Sequence, residues 1–241
     1  MGNGINKVLP NLYLGNIKDA RDKELLAQHN IRHILSIHDT AAPVLELFVV
    51  LSSCECDLSC LHHFQSSLCP RGALGRVSRF TSSGAVPLTQ KQEDMRYLCI
   101  SAADHSKQDL TQYFRDSITF IHESRLKGEG CLVHCVAGVS RSVTLVVAYV
   151  MTVTGRGWVE ALAAVRAARP CAGPNLGFLK QLEEFENMEL KEYRASWKER
   201  YGNQTFNDEE ELAALLTRKS TCSSSDTITT SITPAAATSR T

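Results

Sequence analysis

The stretch that most constrains the fold of this chain is residues 131–154, C-L-V-H-C-V-A-G-V-S-R-S-V-T-L-V-V-A-Y-V-M-T-V-T. Its apolar run at residues 131–133 predicts a buried strand, and its run at residues 143–153 predicts a core helix too short to cross a bilayer. Small side chains, one glycine and one arginine form the turn between them: Val136, Ala137, Gly138, Val139, Ser140 and Arg141. Such a strand–loop–helix unit predicts an anion site, because loop amides and a helix N-terminus both attract negative charge.

Two residues give this loop its chemistry, because Cys135 stands at its entrance and Arg141 closes it. The planar donor fork of arginine matches a phosphate group. A helix N-terminus or a nearby cation lowers a thiol pKa from near 8.5 to roughly 3.5–7.5. We therefore expect Cys135 to be a thiolate at neutral pH and a nucleophile aimed at phosphorus. The alternative is a buried structural cysteine beside an unrelated arginine, which the H-C-x5-R-S pattern between strand and helix disfavours.

The segment H-C-V-A-G-V-S-R-S, residues 134–142, resembles the signature of the cysteine-dependent protein phosphatases. Within it, V-A-G-V-S is similar to the loop of the small, atypical dual-specificity members, and the loop lacks the lysine of the related lipid phosphatases. The resemblance covers the chain from its M-G-N-G start to about residue 215. It implies an enzyme that hydrolyses phosphotyrosine, phosphoserine and phosphothreonine through a phosphocysteine intermediate, with no cofactor and no metal ion.

The resemblance also implies roles for other side chains. The family's general acid is an aspartate in an A-A-D segment, which here is Asp104, whereas Asp109 is better suited to cap the next helix. Ser142 can donate its hydroxyl to the cysteine sulfur, and His134 is expected to orient the loop through backbone contacts. Asn175, in P-N-x-G-F, resembles a position that supports the site.

Two other functional classes remain open from the residues alone. One is an inactive module that binds phosphate without turnover, which the presence of Cys135, Arg141, Ser142 and Asp104 disfavours. The other is a sulfurtransferase or arsenate reductase, which also places a cysteine in an anion loop. As a phosphatase, the chain is expected to act on phosphorylated proteins, with kinases of the stress-activated MAP kinase pathway or Src-type kinases implied by the resemblance.

Strand and helix patterns alternate along the chain, which predicts an α/β fold with a mostly parallel central sheet flanked by helices. Strands are expected at residues 8–16, 31–37, 95–100 and 131–133, and helices at residues 20–29, 110–125, 143–153, 158–168 and 176–200. Ligands of such folds bind beyond the carboxyl ends of the strands. Cys135 and Asp104 both follow expected strands.

The chain divides into an N-terminal acylation segment at residues 1–7, a catalytic domain at 8–201, an extension at 202–218 and a tail at 219–241. The tail is rich in serine and threonine and is expected to be disordered. By comparison with the phosphatases that the chain resembles, residues 47–93 are expected to be an insertion within the catalytic domain. Their C-x-C-x3-C-x-H-H pattern lacks the paired spacing of structural zinc sites, so we expect no metal there and no fold of its own.

Composition and termini suggest where the protein acts. Lys plus Arg equals Asp plus Glu, at 26 each, so no net field favours nucleic acid. Nine irregularly spaced cysteines without a secretory signal suggest a reduced cytoplasmic protein, which we expect to be a monomer. Removal of Met1 would expose Gly2 for N-myristoylation, which the resemblance favours although Asn6 replaces the usual Ser or Thr. One acyl chain implies reversible attachment to the plasma membrane, and a nuclear location is left open.

Overall fold

The computed structural model describes residues 4–40, 95–202 and 206–222 of the chain. Within them a five-stranded sheet has the order β1-β2-β5-β3-β4. Its strands are β1 (Asn6–Leu9), β2 (Leu12–Gly15), β3 (Ile31–His38), β4 (Arg96–Ser101) and β5 (Gly130–His134). Only β1 and β2 pair antiparallel, so the predicted α/β fold with a mostly parallel sheet is confirmed.

Helices follow the strands as the sequence pattern indicates. They are α1 (Lys23–Gln28), α2 (Phe114–Leu126), α3 (Arg141–Thr154), α4 (Trp158–Ala168), α5 (Leu176–Met188), α6 (Leu190–Tyr201) and α7 (Asp208–Cys222). Short 3₁₀ turns precede α1 and α2 at Asp19–Arg21 and Thr111–Tyr113. Among the described helices none is by itself long and apolar enough to cross a membrane, although α3 and α4 qualify together as a pair bent by 118°.

The sheet is buried on both faces, as parallel strands usually are. Alternate side chains of β5 show this, because Cys131 and Val133 pack in the large core with α3 whereas Leu132 packs in a smaller core with Leu26 of α1. Every residue of α3 except Val153 is buried. The helix that follows the predicted anion-binding loop is therefore also the centre of the larger core.

Two predicted elements were wrong in their extent. The strand expected at residues 8–16 is a hairpin, because Pro10 has no N–H to donate and Asn11 takes a left-handed conformation (φ 60°). The helix expected at residues 176–200 is divided at Glu189. After Phe185 the next positions on its apolar stripe, 189 and 192, are glutamates, and apolar spacing resumes at Leu190 with Trp197 also buried.

The helix α7 has no counterpart among the predicted elements, and its end at Cys222 lies beyond the predicted tail boundary at residue 219. Its buried Leu212 joins the large core. Its Asp208 binds the buried Arg125 guanidinium through two hydrogen bonds of 2.8 and 2.6 Å. Three predictions lie outside the described residues: the insertion at residues 47–93, the acylation of Gly2 and the disorder of the tail after residue 222.

The buried ion pair of α2 and α7 predicts a large stability effect. Asp208→Ala leaves the Arg125 guanidinium, whose side chain is 0% exposed, without its counter-charge. Breaking a buried pair in this way costs about 3–5 kcal/mol, so we expect a loss of that order in the free energy of unfolding measured with urea. As a control, Glu189→Ala removes an ion pair to Arg115 in which both side chains are exposed. That control should cost less than about 1 kcal/mol, and equal stability of Asp208→Ala and the native chain would contradict the role assigned to the pair.

Candidate active site

The loop between β5 and α3 surrounds the sulfur of Cys135, a residue only 1% exposed. The Sγ atom accepts hydrogen bonds from the Gly138 amide at 3.1 Å and from the Ser142 hydroxyl at 3.3 Å. Gly138 has a φ of 67°, and a Cβ at this position would overlap the carbonyl oxygen of Gly15. Glycine is therefore required where the loop turns against the end of β2.

The carbonyl groups of the loop are bound by donors outside it. Three such contacts are Ile17 N to Val136 O at 3.3 Å, Arg169 Nε to Gly138 O at 2.7 Å, and Gly173 N to Val139 O at 2.8 Å. In a planar trans peptide the carbonyl and the following N–H point in opposite directions. Fixing these carbonyls outward therefore turns the amides of Ala137, Val139 and Ser140 toward the centre of the loop.

These donors decide the ionisation of Cys135. Burial by itself would raise the pKa of its thiol, because a buried thiolate loses hydration. Hydrogen bonds from the Ser142 hydroxyl and from the amides of Ser142, Val139 and Gly138 outweigh burial, so the pKa of Cys135 lies below its ordinary value. Cys131, buried earlier in the same strand, has instead a pKa raised by burial.

Arg141 is the first residue of α3 and is 5% exposed. Its Nη1 atom donates to the carbonyl of Ala102 at 2.8 Å and to Asp39 Oδ1 at 3.3 Å. Its buried Nε has no hydrogen-bond partner among the described residues. A buried guanidinium N–H without an acceptor is unfavourable, so this geometry reserves one charged donor for an anion in the loop.

The carboxylate of Asp104 lies at the mouth of the loop and accepts hydrogen bonds from Ser140 and Asn175. Its Oδ1 atom accepts from the Ser140 hydroxyl at 2.8 Å and from Asn175 Nδ2 at 2.9 Å. Its other oxygen, Oδ2, is 3.7 Å from Arg141 Nε. Because both donors bind the same oxygen, the carboxyl group is oriented with Oδ2 toward the charged side of the loop.

Asn175 performs two structural tasks at once. As the N-cap of α5, its Oδ1 accepts from the Phe178 amide at 3.1 Å, while its amide nitrogen donates to Asp104. Its backbone N–H also donates to Ser140 Oγ at 3.3 Å. The start of α5 thus connects the loop to the carboxylate above it.

His134 is buried under the loop and does not titrate near neutral pH. Burial lowers its pKa to about 4, so the imidazole is neutral and its Nδ1 bonds the carbonyl of Cys135 at 3.2 Å. This is a backbone contact of the kind expected from the sequence. The sites of Cys135, Arg141, Ser142, Asp104 and Asn175 predicted from the sequence all meet at the same end of the sheet.

Three contributions were not predicted from the sequence: the carboxylate of Asp39, the hydroxyl of Ser140 and the guanidinium of Arg169. Asp39 follows β3 just as Asp104 follows β4, so the rule about carboxyl ends of parallel strands could have found it. No sequence signal identifies Arg169, which follows α4 and reaches the loop only through the fold.

Three comparisons with known proteins find dual specificity phosphatases. The family model of the dual specificity phosphatase catalytic domain matches residues 77–188. Dual specificity protein phosphatase 22-B of Danio rerio is 55% identical over 92% of this chain and 95% of its own length. Dual specificity protein phosphatase 22 of Homo sapiens is 47% identical over 90% and 92%. A crystal structure of DUSP15 superposes with a TM-score of 0.60 at 39% identity, covering 84% of this chain and 100% of that one.

The two tasks of Asn175 can be separated by substitution. Asn175→Ser retains a capping oxygen for α5 but is too short to reach Asp104, so we expect near-native stability with a misplaced carboxyl group. Turnover of an alkylphenyl phosphate should fall about tenfold, a part of the roughly 10²–10⁴-fold worth of general acid catalysis. Turnover of p-nitrophenyl phosphate should fall much less, because its leaving group needs no proton.

Asn175→Ala is the matched control, since it loses the cap as well and should cost about 1 kcal/mol of stability in addition. Equal losses for the two leaving groups in Asn175→Ser would show that the asparagine does not act through Asp104.

Proposed function

This chain belongs to the dual specificity protein phosphatase family, and on that basis we propose that it hydrolyses phosphoproteins through a phosphocysteine intermediate on Cys135. The protein is a phosphatase, as its relatives are. The observation that carries the mechanism is the buried Cys135 sulfur, with its pKa lowered by loop donors, in the same loop as Arg141, whose Nε makes no hydrogen bond among the described residues. A nucleophile and an oxyanion site then share one loop.

In the first step the loop amides and Arg141 bind the phosphoryl oxygens. The Cys135 thiolate forms a bond to phosphorus while the bond from phosphorus to the substrate oxygen breaks. Asp104 gives its proton to that oxygen, so the alcohol or phenol leaves neutral. Since Oδ1 of Asp104 already accepts two hydrogen bonds, Oδ2 carries the transferred proton.

In the second step water attacks the phosphorus of the phosphocysteine. Asp104, now a carboxylate, takes a proton from the water as the new oxygen–phosphorus bond forms. The sulfur–phosphorus bond breaks, inorganic phosphate leaves and the thiolate returns. The Ser142 hydroxyl, at 3.3 Å from Sγ, stabilises the departing sulfur by its hydrogen bond.

The substrate class follows from the family and from the sequence around the loop. No segment resembles the loop that deepens the site of the large tyrosine phosphatases, which supports action on phosphoserine and phosphothreonine as well as phosphotyrosine. Phosphorylated kinases of the stress-activated MAP kinase pathway, or Src-type kinases, are the substrates that we propose. We further propose that the protein acts as a monomer in the cytoplasm.

Cys135→Ser tests the covalent mechanism. Rapid quenching of the native protein with a ³²P-labelled phosphopeptide should place label on the peptide that contains Cys135, as a thiol phosphate. The serine variant should bind inorganic phosphate and retain its fold but form no labelled intermediate and lose turnover, because a serine hydroxyl is not ionised at neutral pH. Label on another residue, or substantial turnover of an aryl phosphate by the variant, would refute Cys135 as the nucleophile.

We also propose N-myristoylation of Gly2, supported by the M-G-N-G start of the chain. Gly2→Ala should then abolish acylation and move the protein from the membrane fraction to the cytosol of eukaryotic cells. Mass spectrometry of the N-terminal peptide is the direct measurement, and turnover of a soluble substrate should match that of the native protein. An unmodified or acetylated Gly2 in the native protein would contradict the proposal.

A further inference from the structure

Arg169 carries a full charge into the interior, with 1% of the residue exposed. Its guanidinium binds acceptors from two separate parts of the chain. Nε donates to Gly138 O at 2.7 Å, and Nη1 donates to Gly4 O at 3.1 Å and to Asn6 Oδ1 at 2.6 Å. The side chain therefore joins the phosphate loop to the N-terminal segment Gly4–Asn6, at the start of β1.

The hydrogen bond from Arg169 to Gly138 O influences which amides point at the Cys135 sulfur. Gly138 O and the Val139 N–H belong to one peptide plane and point in opposite directions. Holding the carbonyl outward holds the Val139 amide inward, where it is one of the donors that favour the Cys135 thiolate. Because Gly138 lacks a side chain and has a positive φ, this peptide has more freedom to rotate than its neighbours.

The contacts to the N-terminal segment matter because a buried guanidinium is stable only when its donors are bound. Gly4 and Asn6 supply acceptors for Nη1, so displacement of this segment leaves that nitrogen without them. We expect the guanidinium then to turn toward other acceptors or water, which moves Nε as well because the guanidinium is a rigid plane.

We propose that Arg169 is a positioning residue of the phosphate loop and that it transmits the placement of the N-terminal segment to the Gly138–Val139 peptide. Its effect on the reaction passes through the direction of one amide.

If Arg169 acts in this way, its substitution changes the pH at which the Cys135 thiol ionises. Other charged or titratable groups near the loop include Arg141 with its partners Asp104 and Asp39. His134, with His38 next to it, lies on the other side of the loop, and Arg21 acts on both histidines. The contacts of Arg169 that carry the proposal are those with Gly138 O, Gly4 O and Asn6 Oδ1. In this proposal a change at residue 169 reaches the sulfur through the plane of the Gly138–Val139 peptide.

The experiment measures the rate of Cys135 alkylation by iodoacetamide against pH, with mass spectrometry of the Cys135 peptide. In Arg169→Ala we expect the midpoint to rise by about one pH unit, which is about a tenfold loss of thiolate below both midpoints. Arg169→Lys retains the positive charge but has no atom equivalent to Nε, so its alkylation midpoint should rise by a similar amount. This variant replaces Arg169→Ala in the test if the alanine variant folds poorly.

Asn6→Ala tests whether the N-terminal segment acts on the loop through Arg169. It should raise the alkylation midpoint of the native protein by less than Arg169→Ala does. In a protein that already carries Arg169→Ala it should cause no further rise. The matched control is Arg194→Ala, which removes another arginine bound to two backbone carbonyls, those of Met151 and Thr152 at the end of α3. That control should leave the midpoint unchanged.

A lower Tm with an unchanged midpoint in both Arg169 variants would show a purely structural role and overturn the proposal. An Asn6→Ala shift that persists in the Arg169→Ala background would overturn the transmission. The inference uses the phosphate loop of the proposed function, but alkylation needs no turnover. Failure of the phosphocysteine experiment with these shifts present would therefore reject the proposed reaction and leave the role of Arg169 standing.

Discussion

The structure depends on the orientation of the peptide groups between Cys135 and Arg141. Nothing within such a loop decides whether its carbonyl groups or its amide groups point toward its centre. Donors from the segment after β2 and from the segment between α4 and α5 bind three of its carbonyls from outside, which leaves the following amides inside. The positive centre is thus made by neutral groups, and the surrounding fold fixes their direction in advance of any ligand.

The ionisation of Cys135 shows how this arrangement competes with burial. The two cysteines of the strand and its end, Cys131 and Cys135, are equally hidden from water, yet burial raises the pKa of the first while loop donors lower that of the second. Local hydrogen bonds, and not exposure, separate the thiol with the raised pKa from the thiol with the lowered pKa. Hydrogen bonds also orient Asp104, because its two neighbours Ser140 and Asn175 both donate to the same carboxylate oxygen.

The sequence predicts the elements that contact the anion directly and misses those that orient them. Cys135 and Arg141 are visible because the chemistry needs those residue types at a fixed spacing between a strand and a helix. Arg169 and the contact of the Ser140 hydroxyl with Asp104 were missed because these interactions join residues distant in the chain, and an arginine at a helix end has many ordinary explanations. The division of α5 from α6 and the existence of α7 also went unpredicted, since both depend on which apolar positions find the core.

The central claim is that the loop amides and Arg141 Nε converge on one oxyanion above Cys135. A crystal structure of the native protein with orthovanadate measures this directly, because vanadate adopts the geometry of the transferring phosphoryl group. The account predicts vanadium bonded to Cys135 Sγ, its oxygens within hydrogen-bond distance of the loop amides and of Arg141 Nε, and Asp104 Oδ2 against the apical oxygen. Vanadate bound away from the sulfur, or a loop carbonyl turned toward it, would contradict the account.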